Sequence, residues 1–226
     1  LFLGAEGTLG IVTAVVLKLF PRPHDLVTSF VALPNADAAL KLLSRVRAAT
    51  SDGVTSFEYI HRKCIDLVLM HIEDTSDPFD EAHTHYALIE CSAGREDSGL
   101  DGTVEAALGE AFEAEDISNA VIATSGQQAA SLWRLRETIP EAQKLAGAGL
   151  KHDISVPLTS VPTFLEQATI VAEEMIPGVR VIPFGHMGDG NIHFNLSRPE
   201  GDDGANMMAM AHDLEVAVHD LAVELD

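Results

Sequence analysis

The chain has 226 residues, 46% of them hydrophobic, enough for one large domain or one domain with an appendage. Its 35 acidic residues against 14 basic ones leave a formal net charge of −21, which argues against nucleic acid or an anionic membrane surface as partner. No apolar run reaches the length of a membrane span, and no signal peptide is visible.

On so acidic a chain, any site for a carboxylate must be a local basic pocket. Cys64 and Cys91 have neither metal-ligand nor redox spacing. They read as reduced structural thiols, which suits a cytoplasmic protein. Nothing in the sequence argues against a homodimer. Leu1 falls inside a strand-like segment, and Val223–Asp226 closes an amphipathic run without a C-cap glycine. Both ends therefore read as cut, and the chain is expected to be part of a longer polypeptide.

Residues 1–20 place Gly4, Gly7 and Gly10 before a β-branched run, which predicts a glycine-rich turn leading into a strand. Pro21-Arg22-Pro23 cannot continue a sheet, so a domain boundary is set there, dividing 1–20 from 21–226. A strand is predicted over 26–33, then a helix over 36–49 capped by Asn35. Ser51-Asp52-Gly53 is a loop. Residues 57–71 read as a second helix, with Ile60, Cys64, Leu67, Val68 and His71 on one face.

Residues 74–80 form an acidic loop, and 82–91 alternate as a strand that would carry His83 and His85 on one face. No third metal ligand is apparent there, and a solvated strand face is the better reading. A helix near 101–114 and a strand near 119–124 follow. In 125–145, Leu132, Leu135 and Ile139 have helical period until Pro140 interrupts it. Thr138-Ile139-Pro140-Glu141 fits a capping box, so a break at Thr138 and a second short helix are expected. Arg136 lies just before the break among bulky apolar neighbours. It is either a snorkelling arginine or a buried anion ligand. A helix over 159–175 and a turn at Pro177-Gly178 lead into the most informative stretch.

Two apolar runs flank Asp189-Gly190, a strong hairpin signal because both turn residues must reach positive φ. With a two-residue loop, His186 would face His193 and Phe184 would face Asn195. Ile192, Phe194 and Leu196 would point into a core, and His186, His193 and Asn195 to the opposite side. Two imidazoles side by side could share a metal ion, or could be two surface histidines of a plain hairpin. Gly185, Gly188 and Gly190 clear side chains from around His186 and favour a ligand. The last helix, about 204–224, would bury Met207, Met210, Leu214, Val218 and Leu221, with His212 and His219 on its surface.

Residues 185–193, Gly-His-Met-Gly-Asp-Gly-Asn-Ile-His, resemble the Gly-His-x-Gly-Asp-Gly-Asn-x-His signature of the C-terminal domain of FAD-linked D-2-hydroxyacid dehydrogenases. That family includes D-lactate dehydrogenases, the glycolate oxidase flavoprotein subunit and D-2-hydroxyglutarate dehydrogenase. The resemblance implies that His186 and His193 are ligands of a divalent metal, zinc being the expected ion. A third ligand, a glutamate, and the catalytic base, a histidine, would lie in a later Glu-His-Gly segment that this sequence, ending at Asp226, does not contain. Residues 4–13, Gly-Ala-Glu-Gly-Thr-Leu-Gly-Ile-Val-Thr, resemble the segment that closes the family's FAD-binding domain, which implies that Glu6, Gly7 and Ile11 lie against FAD.

The run from Leu132 to Ala142 is similar to the family's Trp-x-x-Arg-Glu-x-Ile-x-Glu-Ala segment, which implies that Arg136 binds the substrate carboxylate. Lys151-His152-Asp153-Ile154-Ser155-Val156-Pro157 matches its Lys-x-Asp-x-Ser-x-Pro strand, with Lys151 a second cation for the substrate. Asn195 could hydrogen-bond the substrate. Pro140 stands where hydroxyglutarate-type members carry a threonine for the far carboxylate, which puts a dicarboxylate substrate in doubt.

The expected fold is α+β, a mostly antiparallel sheet with helices on one face, like the ferredoxin-like C-terminal domain of that family. The expected function is that of the substrate and metal half of an FAD-dependent dehydrogenase oxidising a small D-2-hydroxy acid, inactive on its own. Two other readings stay open. One is a non-catalytic metal-binding or oligomerisation module of the same fold. The other, weaker, is a metal-dependent hydrolase, for which Asp189 at the turn tip points the wrong way.

Overall fold

The computed structural model describes residues 2, 5, 7–19 and 22–226. One sheet of eight strands organises them, and every pairing in it is antiparallel. Strands β1 (Asp25–Leu33), β2 (Val54–His61), β3 (His85–Ala93) and β4 (Asn119–Ile122) lie in the spatial order 4-1-3-2. Helices α1 (Ala36–Ala49) and α3 (Leu100–Glu113) pack on one face of these strands. This is the split βαβ arrangement of ferredoxin-like folds. The sheet then continues from β2 into β7 (Arg180–His186) and β8 (Asn191–Ser197). The short strands β5 (Gly149–Leu150) and β6 (Asp153–Ser155) both pair with β8.

Alternation along the strands makes two cores. Val27, Val31 and Leu33 of β1 and Ile192, Phe194 and Leu196 of β8 face α1, α3, α6 (Val161–Met175), α7 (Ala205–Ala209) and α8 (Ala211–Glu224). Phe30 and Ala32 of β1 and Ile182 and Phe184 of β7 face α2 (Arg62–His71), α4 (Gly126–Glu137) and α5 (Ile139–Leu145). Helices therefore cover both faces of the antiparallel sheet, where the sequence suggested one. Helix α4 of the second face carries Arg136 to the hairpin, over the Phe184 ring.

Residues 57–71 are not one helix. Strand β2 runs to His61, and α2 begins at Arg62, capped by the His61 ring, whose Nδ1 accepts from Lys63 N at 3.2 Å. The run misleads because β2 is buried on both sides, so its apolar residues do not show the alternation that marks a strand. The strand expected after Gly10 does not form among residues 11–19. Ile11, Val16 and Leu19 stand exposed with no neighbouring strand to complete a ladder. His83 precedes β3 instead of sharing its face with His85. Its ring packs edge-on against Phe79, while His85 Nδ1 and the Tyr59 hydroxyl are 2.7 Å apart.

The break at Thr138 is present, but the capping box is not. Thr138 Oγ1 donates back to Arg134 O at 2.7 Å and makes no N-cap bond. The C-terminal helix is interrupted at Met210, which with Leu221 is only partly buried. Cys64 and Cys91 are free and buried, and burial pushes their thiols up to about 12 and about 11. No helix among the described residues is long and apolar enough to cross a membrane.

Candidate functional site

The hairpin β7–β8 is present with a longer loop than Asp-Gly alone. Phe184 pairs with His193, Ile182 with Asn195, and residues 187–190 make the turn. The register is thus displaced by two residues from the expected one, and His186 is not opposite His193. A displacement by an even number leaves every side chain on its own face. The two imidazoles therefore still meet, as diagonal neighbours, with ring centroids 5.4 Å apart and edge to face. Gly185 allows the close turn: a Cβ there would stand 2.6 Å from Asn191 O.

The next contribution comes from β2. Its short pairing with β7 sets Glu58 opposite His186 and Ile60 opposite Phe184. Cross-strand partners share a face, and Glu58 Oε1 is 2.6 Å from His186 Nδ1. The other oxygen, Oε2, accepts from Arg136 Nε at 2.7 Å. Glu58 is 5% exposed and Arg136 8%, so this is a buried charge pair. The Arg136 guanidinium also lies over Phe184, with Cζ 4.7 Å from the ring centroid. Its Nη1 and Nη2 have no hydrogen-bond partner among the described residues, which leaves one edge of the fork open. Arg136 is the buried arginine, not the snorkelling one.

His193 stacks at a tilt on Phe184, with centroids 4.9 Å apart, and its Nδ1 lies 3.2 Å from Asp153 Oδ1. Desolvation by burial holds its pKa below the ordinary value; Arg136 and His186 add to this, against the opposing pull of Asp153 and Glu58. Both imidazoles thus turn Nδ1 toward a carboxylate and keep Nε2 unbonded. That is the arrangement of carboxylate-supported histidines that ligate metals. No group of three or more His, Cys, Asp or Glu side chains able to hold a metal occurs among the described residues.

Two residues further along β8, Asn195 is buried and its Nδ2 donates to Gln143 Oε1 at 2.9 Å. Both line a cavity of about 180 Å³ together with Lys144 and Lys151. Lys151 is exposed and sits on this neighbouring cavity, not directly across from the imidazoles. It lies on the same side of the sheet, two residues before Asp153, which pairs with His193. A second cavity, of about 380 Å³, is lined by His186 with Ser56, Glu58 and Asp189. Asp189 Oδ1 accepts from Asn191 N at 3.1 Å within the turn.

Of the expected flavin contacts, Glu6 lies outside the described residues. Gly7 adopts φ +82 in an exposed turn, and Ile11 is 91% exposed. Sequence reasoning missed Glu58 and Gln143. Glu58 was hidden by its place in a supposed helix. Once Phe57, Tyr59 and Glu58, Ile60 are read with strand period, a lone acid on an apolar face becomes visible. Gln143, a buried polar residue on α5, is tied to the site only by its bond to Asn195, 52 residues on, which no local pattern announces.

Residues 22–226 match the family described as FAD linked oxidases, C-terminal domain. The chain belongs to this family. It is 34% identical to a D-2-hydroxyglutarate dehydrogenase of Xanthomonas citri pv. viticola, over 92% of this chain and 43% of that protein. It is 33% identical to the mitochondrial D-2-hydroxyglutarate dehydrogenase of Arabidopsis thaliana, over 90% of this chain and 36% of that one. The chain thus spans less than half the length of these relatives. Among solved structures, an alkyldihydroxyacetonephosphate synthase superposes with a TM-score of 0.63 over 97% of this chain and 44% of its own. At 14% identity that likeness is one of fold.

Proposed function

We propose that this FAD-linked oxidase domain is the substrate-binding part of a dehydrogenase that oxidises a small D-2-hydroxy acid to the 2-keto acid. The observation that carries the reading is the open Nη1–Nη2 edge of buried Arg136 beside two imidazoles whose Nε2 atoms are unbonded. A guanidinium so held takes a carboxylate as a fork. Lys151 adds a second positive charge, and Asn195 a hydrogen bond, so the substrate anion meets local cations on a chain that is acidic overall. Residues 1–20 would close the FAD-binding domain, with Glu6, Gly7 and Ile11 toward the cofactor, and 21–226 would form the domain of the site.

Flavin, when bound, supplies the acceptor for the hydride leaving the substrate Cα. A divalent ion such as zinc, held by His186 and His193, would lower the pKa of the substrate hydroxyl and chelate the hydroxy acid. The fit of that ion rests on the two Nε2 lone pairs and their carboxylate-held Nδ1 edges. No base for the hydroxyl proton is assigned among these residues, so the chain by itself is expected to bind without turning over. The relatives' names point to a five-carbon diacid. Exposed Pro140 cannot donate a hydrogen bond to a far carboxylate, so the assignment here is to 2-hydroxy acids as a class.

The test is calorimetric titration of the protein with zinc and then with D-lactate or D-2-hydroxyglutarate. Metal-dependent hydroxy-acid binding that disappears in Arg136→Ala is the expected result. Metal binding indifferent to Arg136, with no hydroxy-acid binding, would instead make the chain a metal-binding or oligomerisation module.

A further inference from the structure

We propose that Glu58 is the positioning residue of this site, one carboxylate that sets both the direction of Arg136 and the tautomer of His186. The inference rests on the reading of Arg136 as the carboxylate fork and His186 as a metal ligand, and it concerns a residue neither motif contains.

A carboxylate present only to neutralise a buried arginine does best by engaging two guanidinium nitrogens at once. Glu58 does not do that. It spends Oε2 on Arg136 Nε, at 2.7 Å, and Oε1 on His186 Nδ1, at 2.6 Å. The first bond leaves Nη1 and Nη2 free of Glu58. The second has a chemical consequence for the ring. An ionised carboxylate only accepts, so the hydrogen of neutral His186 must sit on Nδ1 and the lone pair on Nε2. Glu58 is buried on a central strand and cannot swing away, whereas the His186 side chain is 50% exposed. The rigid partner therefore orients the mobile one. Asp153 stands in the same relation to His193, but its side chain is 65% exposed and the contact is longer, 3.2 Å. An exposed pair of that kind fixes little. Glu58 and Asp153 thus provide a built-in comparison: equivalent contacts, one buried and one in water.

The experiment uses protein labelled with ¹⁵N at histidine. Ring nitrogen shifts report the His186 tautomer without metal, and a competition titration reports zinc affinity. The wild type is expected to show His186 with hydrogen on Nδ1. In Glu58→Gln one oxygen is replaced by an N–H donor; with the remaining oxygen on Arg136 Nε, the amide would donate to His186 Nδ1 and move the ring hydrogen to Nε2, so the Nδ1–H tautomer should be lost and zinc affinity should fall about 10–100-fold. Asp153→Asn should change affinity much less. Because Glu58→Gln leaves a buried arginine unpaired and could unfold the protein, the double variant Glu58→Leu/Arg136→Met is made in parallel. It removes both charges at similar volume and should show the same loss. An unchanged His186 tautomer and zinc affinity within about twofold of wild type, in whichever variant folds, would overturn the proposal. If the wild type binds no zinc yet the tautomer shifts in the variants, positioning by Glu58 stands and the metal reading falls.

Discussion

Gly190 shows how a single position carries the hairpin tip. Its φ is +82, and a Cβ there would stand 2.2 Å from Val156 O. Its own carbonyl accepts from Val156 N at 3.2 Å, tying the turn to the segment after β6. Gly190→Ala is therefore expected to lower unfolding free energy by about 2–3 kcal/mol in a urea titration, through strain and lost backbone contact. Gly188 belongs to the same motif but lacks that constraint: an added Cβ would meet nothing nearer than Phe57 Cβ at 3.8 Å. Gly188→Ala should stay within about 0.5 kcal/mol of wild type. The glycines were legible in the sequence as a group. That Gly190 is obligatory depends on Val156, and only the fold brings that residue in.

At the scale of elements, helix ends separate a cap that is made from one that is not. Asn35 Oδ1 accepts from Ala38 N at 2.9 Å and starts α1 as its sequence suggested. Asn35→Ala should cost about 1 kcal/mol by chemical denaturation. Thr138 has equally good capping chemistry, but its φ of −90 and ψ of −1 keep it helical, and its hydroxyl bonds backward to Arg134 O. Thr138→Ala should then cost clearly less than Asn35→Ala, and equal losses would refute the distinction. The reason lies in what each helix follows. Helix α1 comes out of an extended strand end, which leaves Asn35 free to take cap geometry. Helix α5 comes directly out of α4, whose last turn already holds Thr138. The run 57–71 failed for a related reason. Its helical half was read correctly from Cys64, Leu67 and Val68, all buried in α2. The strand half was overridden by burial on both faces, which erases the alternation that marks a strand.

The whole molecule has a pH response built from buried imidazoles. Burial, with help from His85 and Lys63, lowers His61 from about 6.5 to about 4. His85, His152 and His193 shift downward too, with burial the largest cause in each. Between those limits the unfolded chain binds more protons than the folded one, so stability must fall as pH drops through that window. The urea midpoint is expected to decrease from pH 7 to pH 5 and then further toward pH 4. His61→Asn can still cap α2 but does not titrate, and it should flatten the lower part of the profile. A midpoint that rises on acidification would contradict this account.

What the amino-acid sequence determined by itself is everything written in near neighbours: the strand and helix periods, the break near Pro140, the face on which each hairpin residue lies, and four segments that resemble family motifs. Face survived a register error of two residues because side-chain direction along a strand has period two. What the tertiary structure decided is company. Glu58 and His186 are 128 residues apart, and β2 and β7 pair over three residues only. No local pattern announces such a contact, because the free energy that selects it comes from burying both faces of the whole sheet. The candidate site is where that long-range choice places a buried carboxylate between an arginine and an imidazole.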